Sequence, residues 1–139
     1  MKGKLTIMLL TIAFVMTAAV VGWSQVGFQA AMLLQSNTTA TGQPIQFPTF
    51  RNQITALRAE LAPGGQTGRH MHPVPTFVYV LEGELSVEAD GHGAKVYKAG
   101  DAFLESVNMW HNGINRAGTP TKFLVVFSGE EGKANLVRP

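Results

Sequence analysis

The fold and the candidate site both follow from residues 64–83, GGQTGRHMHPVPTFVYVLEG. Here His70 and His72 stand one residue apart in a segment rich in β-forming residues. Because side chains alternate between the two faces of a strand, we expect both imidazoles on one face, about 6.6 Å apart. Two imidazoles at that separation can bind one ion, since metal–nitrogen bonds are about 2.0–2.1 Å long. By itself such a pair is a weak indication of a metal site.

A third histidine, His111, lies in a second motif, residues 106–115, SVNMWHNGIN. The fourth, His92, stands in an Asp-Gly turn signal and is interpreted as a solvated turn residue. Three of the four histidines in the chain are therefore candidate ligands of one metal site.

The two motifs together resemble the two signatures of the cupin superfamily. The first signature is Gly, five residues, His-x-His, three or four residues, Glu, six residues and Gly. The second is Gly, five residues, Pro-x-Gly, two residues, His, three residues and Asn. The positions that agree in spacing are Gly64, His70, His72, Gly83, Gly100, His111 and Asn115. The resemblance covers roughly residues 50–128.

The chain departs from these signatures at three positions. Thr76 stands where the family has its ligating glutamate, and Ser106 and Asn108 replace the proline and glycine of the second signature. The spacings of the nearest other carboxylates do not match the family's ligand: Glu82, Glu84 and Glu105. We therefore expect a metal site of three histidines without a carboxylate.

The resemblance implies an all-β fold, a cupin-type β-barrel or jelly roll. It also implies a divalent transition metal (Fe, Mn, Zn, Ni or Cu) bound by the three histidines, a small-molecule ligand or substrate, and a homodimer formed through edge strands. Asn115 matches the motif asparagine, to which we assign a structural role. Thr76, Tyr79 and Trp110 are candidate pocket residues, although core packing explains Tyr79 and Trp110 equally well.

The hydrophobic pattern independently favours an all-β domain. Residues 54–61 alternate, residues 77–81 and 123–127 are continuously apolar, and Asn112-Gly113 is interpreted as a turn. Short strands separated by Gly-rich turns are typical of a sandwich or barrel. Residues 128–139 are polar and are expected to form a loosely packed tail.

The N-terminus predicts export. Lys2 and Lys4 precede an apolar run, residues 5–21, the pattern of a secretory signal. Cleavage near residue 24 would give a periplasmic or secreted protein, whereas an uncleaved segment would be a membrane anchor helix. We divide the chain into a signal or anchor (1–24), a polar lead-in with a candidate edge strand from residue 32 (25–49), and the barrel (50–139).

Composition excludes several classes of protein. There is no cysteine, so disulfides and thiolate metal sites are excluded. Without Lys2 and Lys4 the chain has nine basic and nine acidic residues, so it lacks the basic surface that nucleic-acid binding requires. We expect the membrane to be contacted only by the N-terminal segment.

Three functions agree with these observations. The first is a small-molecule metalloenzyme of the oxygenase or isomerase type. The second is a non-catalytic protein that binds a metal or small ligand, and the third is a barrel whose histidines have no ligand. Fold alone does not choose among them, because function resides in the site.

Overall fold

The computed structural model describes residues 27–139. The predicted signal or anchor, residues 1–24, lies outside the described residues. Within residues 27–139, no helix is both long and apolar enough to cross a membrane. The unit described below spans Met32–Pro139.

This unit is built from β-strands, and no helix occurs in the described part of the chain. The strands are β1 (Asn52–Leu61), β2 (Thr76–Glu82), β3 (Glu84–Ala89), β4 (Gly93–Lys98), β5 (Ala102–Glu105), β6 (His111–Ile114) and β7 (Thr121–Glu130). They form a four-stranded sheet, β1-β7-β2-β5, and a three-stranded sheet, β4-β3-β6. All pairings within the two sheets are antiparallel. The prediction of an all-β fold is confirmed.

The hydrophobic core joins the two sheets. Strand β7 alternates regularly between buried and partly buried residues, and Val125 lies opposite both Leu57 of β1 and Val78 of β2. Tyr97 of the smaller sheet stacks on Phe103 of the larger, with ring centroids 3.6 Å apart. The remaining core residues are Val74, Val80, Leu85, Phe123 and Phe127. Burial of these side chains is the main force that holds the sheets together, because apolar area removed from water stabilises the fold.

The Asp-Gly hairpin signal is confirmed, but the turn predicted at Asn112-Gly113 is wrong. The hairpin at residues 90–92 joins β3 to β4, with Ala89 paired to Gly93. Asn112 and Gly113 instead lie inside β6. A Cβ atom on Gly113 would lie 3.2 Å from Thr67 Cγ2 and 3.4 Å from Leu85 Cδ1. This glycine therefore marks a close approach within the sheet and not a turn.

The lead-in segment packs against the second motif and forms no regular strand within residues 32–49. A single bridge joins Thr38 to Pro44, in place of the expected edge strand. The side chain of Gln43 makes two hydrogen bonds with the backbone of Val107, at 3.0 and 2.9 Å. The Ala40 N–H donates to the carbonyl of Leu104 at 2.8 Å. These contacts place residues 40–43 beside the end of β5.

Asn115 joins two loops in the interior, in agreement with the structural role assigned to it. Its side chain is 0% exposed. The amide nitrogen donates to the carbonyls of Leu61 at 3.0 Å and Thr119 at 2.8 Å, and its oxygen accepts from the N–H of Ala117 at 2.9 Å. All of the polar atoms of this buried side chain are thus engaged.

We predict that Asn115→Ala lowers the free energy of unfolding by about 2–4 kcal/mol, because three backbone groups lose their hydrogen-bond partner and a buried side chain is truncated. Urea denaturation would measure the change. Asn52→Ala, at an exposed position of β1, serves as the control and should stay within about 0.5 kcal/mol of the wild type. Equal effects of the two substitutions would contradict the structural role of Asn115.

Candidate functional site

The segment between β1 and β2 carries two of the three candidate histidines next to the third. His70 forms a backbone bridge with His111, the first residue of β6, through hydrogen bonds of 2.9 and 2.8 Å. His72 bridges to Val107, and the intervening Met71 pairs with Val137. The chain is extended at each of these positions, so His70 and His72 share one face, as their spacing predicts.

The three imidazoles form one buried cluster. Ring centroids lie 4.8 Å apart for His70 and His72, 4.4 Å for His70 and His111, and 5.1 Å for His72 and His111. Their nearest ligand atoms all lie within 4.8 Å of one another. Two distant parts of the sequence therefore meet at one point inside the fold, as the two motifs predict.

Backbone carbonyls fix the orientation and tautomer of all three rings. His70 Nδ1 lies 2.7 Å from the carbonyl of Gly68, His111 Nδ1 lies 2.9 Å from that of Met109, and His72 Nδ1 lies 2.8 Å from that of Asn135. A carbonyl only accepts hydrogen bonds, so each Nδ1 must carry a proton. In a neutral imidazole Nε2 then carries a lone pair, the form that binds a metal.

A carboxylate also lies beside the three-histidine cluster, at a position that the motif spacing did not indicate. Glu105, the last residue of β5, places Oε2 3.0 Å from His72 Nε2 and Oε1 3.5 Å from His111 Nε2. Its side chain is only 10% exposed. The sequence contained one indication that Glu105 points inward: side chains alternate along β5, so Glu105 lies on the same face as buried Phe103.

The electrostatics of the cluster keep Glu105 ionised. Burial alone would raise its pKa, but His111 and His72 outweigh burial and hold the pKa of Glu105 at about 2, below the ordinary 4.5. Burial also lowers the pKa of His111, yet the Glu105 carboxylate outweighs this and leaves the His111 pKa above 6.5. For His70, burial dominates and lowers the pKa below 6.5.

The donor set fits a divalent metal ion. The Nε2 atom of His72 and the carboxylate of Glu105 face each other at 3.0 Å as two acceptors, and His111 Nε2 has no hydrogen-bond partner among the described residues. Facing acceptors require a cation between them, either a proton or a metal. Ligand atoms about 2.0–2.2 Å from one ion, at angles of 90–110°, lie about 2.8–3.6 Å apart. The distances from Glu105 to both rings fall in this range.

The three candidate pocket residues lie in different environments. Thr76 is buried, but its hydroxyl donates to the carbonyl of Val74 at 3.1 Å. Tyr79 alternates with buried residues of β2 and faces away from the core. The guanidinium carbon of Arg69 lies over the Trp110 ring, 5.6 Å from the ring centroid, so Trp110 packs against Arg69. The pocket roles expected of these three side chains stay predictions.

The C-terminal segment belongs to the site, which corrects the expectation of a loose tail. Strand β7 continues to Glu130. Beyond it Val137 exchanges two backbone hydrogen bonds with Met71, at 3.0 and 2.9 Å. This pairing holds the carbonyl of Asn135 against His72. A polar, non-periodic sequence gives no signal of such a role.

Two cavities are lined by Glu105 together with histidines of the cluster. One of about 130 Å³ is lined by Glu105 and His111 together with Lys95, Tyr97 and Phe103. The other, of about 240 Å³, touches Glu105, His70 and His72, and its remaining wall is mostly apolar, with side chains from β1, β7 and the C-terminal segment. His92, interpreted as a turn residue, is exposed at the rim of the smaller cavity. A small molecule in either cavity would contact the cluster directly.

Residues 57–127 match the model of a cupin domain family. A search of curated proteins gave no match.

Several solved structures are similar to this chain. A sugar phosphate isomerase of the cupin superfamily from Silicibacter pomeroyi is 31% identical, with a TM-score of 0.51 over 55% of this chain and 51% of that one. An oxalate oxidase is 26% identical (TM-score 0.53; 60% of this chain, 45% of that one). The oxalate decarboxylase of Bacillus subtilis, with Mn(II) centres, is 27% identical (TM-score 0.54; 60% and 23%). The chain thus spans about half or less of the length of each of these structures.

Proposed function

The chain belongs to the cupin family, and from that premise we propose that it binds a divalent transition metal through His70, His72 and His111 and acts on a small organic molecule there. One observation carries the proposal: each of three buried imidazoles donates a hydrogen bond from its Nδ1–H to a backbone carbonyl. Their Nε2 atoms are therefore preset as ligands in one place.

The metal would supply a Lewis acid that polarises an oxygen of the substrate. The chain itself supplies orientation and exclusion of water. Apolar side chains of β7, Phe123, Val125 and Phe127, line the larger cavity beside the histidines. Burial and the Glu105 charge raise the pKa of Tyr97 to about 12, so its Oη keeps its proton beside the smaller cavity. These features favour a reaction on a small polar molecule shielded from bulk water.

The reaction we propose is of the oxygenase or isomerase type. Similar structures include an oxalate oxidase and a sugar phosphate isomerase. Substrates of this size suit cavities of about 130 and 240 Å³. The metal is one of Fe, Mn, Zn, Ni or Cu, and the Mn(II) centres of a similar decarboxylase support manganese as the first ion to test.

A non-catalytic binding protein is the second candidate, and the wall of the larger cavity favours it. Apart from the cluster residues, the only ionisable side chain that lines this cavity in the described part of the chain is Arg138. Turnover there would depend on the metal and its ligands for proton transfer. A ligand could therefore be held without being converted.

We predict that the purified protein binds about one equivalent of divalent metal per chain through neutral imidazoles. His70→Ala, His72→Ala and His111→Ala should each lower the affinity at least about tenfold, because each removes a ligand. Isothermal titration with Mn²⁺ and Zn²⁺, together with elemental analysis, would measure this. His92→Ala is the matched control, since His92 is exposed in a hairpin turn, and it should bind like the wild type. A wild-type protein that holds no more metal than His72→Ala would refute the metal site.

We predict that the metal-loaded protein turns over a small carboxylate or sugar phosphate. Oxygen uptake and NMR detection of isomerised product would be measured across a panel of such compounds. Metal-loaded Glu82→Gln, at an exposed position away from the cavities, is the control of equal activity, and His111→Ala is the inactive one. Saturable binding of a compound without conversion would favour the binding protein over the enzyme.

We also propose that the protein is exported and that residues 1–24 are a signal peptide or an anchor. Lys2, Lys4 and the apolar run that follows them support this. We predict that the full chain, expressed in a Gram-negative host, is recovered outside the cytoplasm, and mass spectrometry would distinguish cleavage from retention. Ala13→Arg, which places a charge in the apolar run, should block export, whereas Ala13→Leu should not. Accumulation of intact wild-type chain in the soluble cytoplasmic fraction would contradict export.

A further inference from the structure

Glu105 lies where a fourth ligand of the cluster would be needed. We propose that Glu105 is a metal ligand, and that it replaces, from the neighbouring strand, the carboxylate that is absent at Thr76. This inference rests on the metal site proposed above and deepens it.

The strand register explains how the carboxylate can change its position in the sequence. Thr76 of β2 and Glu105 of β5 are directly opposite each other in the antiparallel pair. Residues directly opposite in such a pair point to the same face, with Cβ atoms about 4.5–5.5 Å apart. A glutamate at either position therefore starts from the same side of the sheet. A side chain as long as glutamate reaches the cluster from Glu105.

The contacts of the two side chains assign the role to Glu105 and not to Thr76. The Thr76 hydroxyl already donates a hydrogen bond to the carbonyl of Val74. The Glu105 oxygens lie 3.0 Å from His72 Nε2 and 3.5 Å from His111 Nε2, one oxygen toward each ring. Both distances are those of neighbouring ligand atoms on a single ion.

Burial separates Glu105 from the other carboxylates near the motifs in sequence. Glu82 and Glu84 are exposed, and each lies near a surface lysine: Glu82 Oε2 is 2.7 Å from Lys122 Nζ, and Glu84 Oε1 is 3.8 Å from Lys98 Nζ. Glu105 is almost fully buried, and in the described part of the chain it forms no salt bridge to a lysine or arginine. A buried carboxylate is unfavourable unless it is paired or coordinates a metal. The pairing must come from a cation among these atoms, a proton or a metal ion, and only a divalent metal ion would also accept the lone pairs of all three imidazoles.

Ligation by Glu105 sets the metal preference. Carboxylate oxygen suits harder ions such as Mn²⁺, while imidazole alone suits Zn, Cu and Ni. The carboxylate also cancels one of the two positive charges of the ion. We therefore expect the protein to bind Mn²⁺ more tightly than a three-histidine set would, and to depend on Glu105 for that difference.

The experiment compares Mn²⁺ affinity in four proteins by isothermal titration and Mn²⁺ EPR: wild type, Glu105→Gln, the double variant Thr76→Glu/Glu105→Gln, and Glu82→Gln. Glutamine keeps the shape and an acceptor oxygen but lacks the charge, so a merely positioning role would survive in it. We expect Glu105→Gln to lower Mn²⁺ affinity at least about tenfold and to change the EPR spectrum of the bound ion. The double variant should recover most of the loss, because it returns a carboxylate to the opposite residue of the strand pair. The exposed Glu82→Gln should match the wild type.

Wild-type Mn²⁺ affinity and an unchanged EPR spectrum in Glu105→Gln would overturn the ligand role of Glu105. In that case, loss of Mn²⁺ binding in His72→Ala would still support a metal site formed by the three histidines. Absence of Mn²⁺ and Zn²⁺ binding in the wild type would instead overturn the proposed function itself. If Glu105→Gln does not fold, Glu105→Asp provides the same test. It keeps the charge but withdraws the oxygens by one methylene, and it too should lose affinity. Wild-type affinity in that variant would overturn the proposal.

Discussion

Three hydrogen bonds from imidazole Nδ1 atoms to backbone carbonyls determine what this site can do. Because the acceptors belong to the backbone, their positions depend on the course of the chain and not on the choice of a neighbouring side chain. Each bond fixes the ring plane, the tautomer and the direction of the free nitrogen at once. Without them three nearby histidines could rotate or exchange tautomers, and their lone pairs would not converge. The rest of the architecture can be understood as the means by which these three carbonyls are held in place.

Two of the carbonyls are local and one is remote. His70 and His111 each use the carbonyl two residues earlier, Gly68 and Met109. The backbone bridge between the two histidines aligns these local arrangements side by side. His72 depends instead on Asn135, which is 63 residues away in the sequence. The order of that ring therefore depends on the pairing of the C-terminal segment with the chain at Met71. Of the three rings, His72 is the one whose orientation requires a contact between segments far apart in the sequence.

Local periodicity was sufficient to predict most of the strands and the shared face of His70 and His72. The alternation of residues 54–61 and the apolar runs of β2 and β7 follow directly from the two-residue repeat of a strand. Strand β6 was missed because Asn-Gly is a turn signal, and only the approach of Thr67 and Leu85 explains why glycine is needed there. The role of residues 135–138 was missed because a polar segment without a repeat gives no indication of its partner. The export signal and the domain limits around it remain predictions.

The position of Glu105 shows why a motif that follows one strand describes a metal site incompletely. Motif spacing records which side chains share a face within a strand, but a sheet also brings residues together across strands. Thr76 and Glu105 are 29 positions apart in the numbering, yet they are direct neighbours in the β2–β5 pair. The cluster constrains where a negative charge must lie in space, and either residue of that pair can supply it. A threonine at the expected ligand position therefore indicates a missing carboxylate only when the residue opposite it is also uncharged. Here that residue is a buried glutamate, so the charge of the site is kept while its position in the sequence is not.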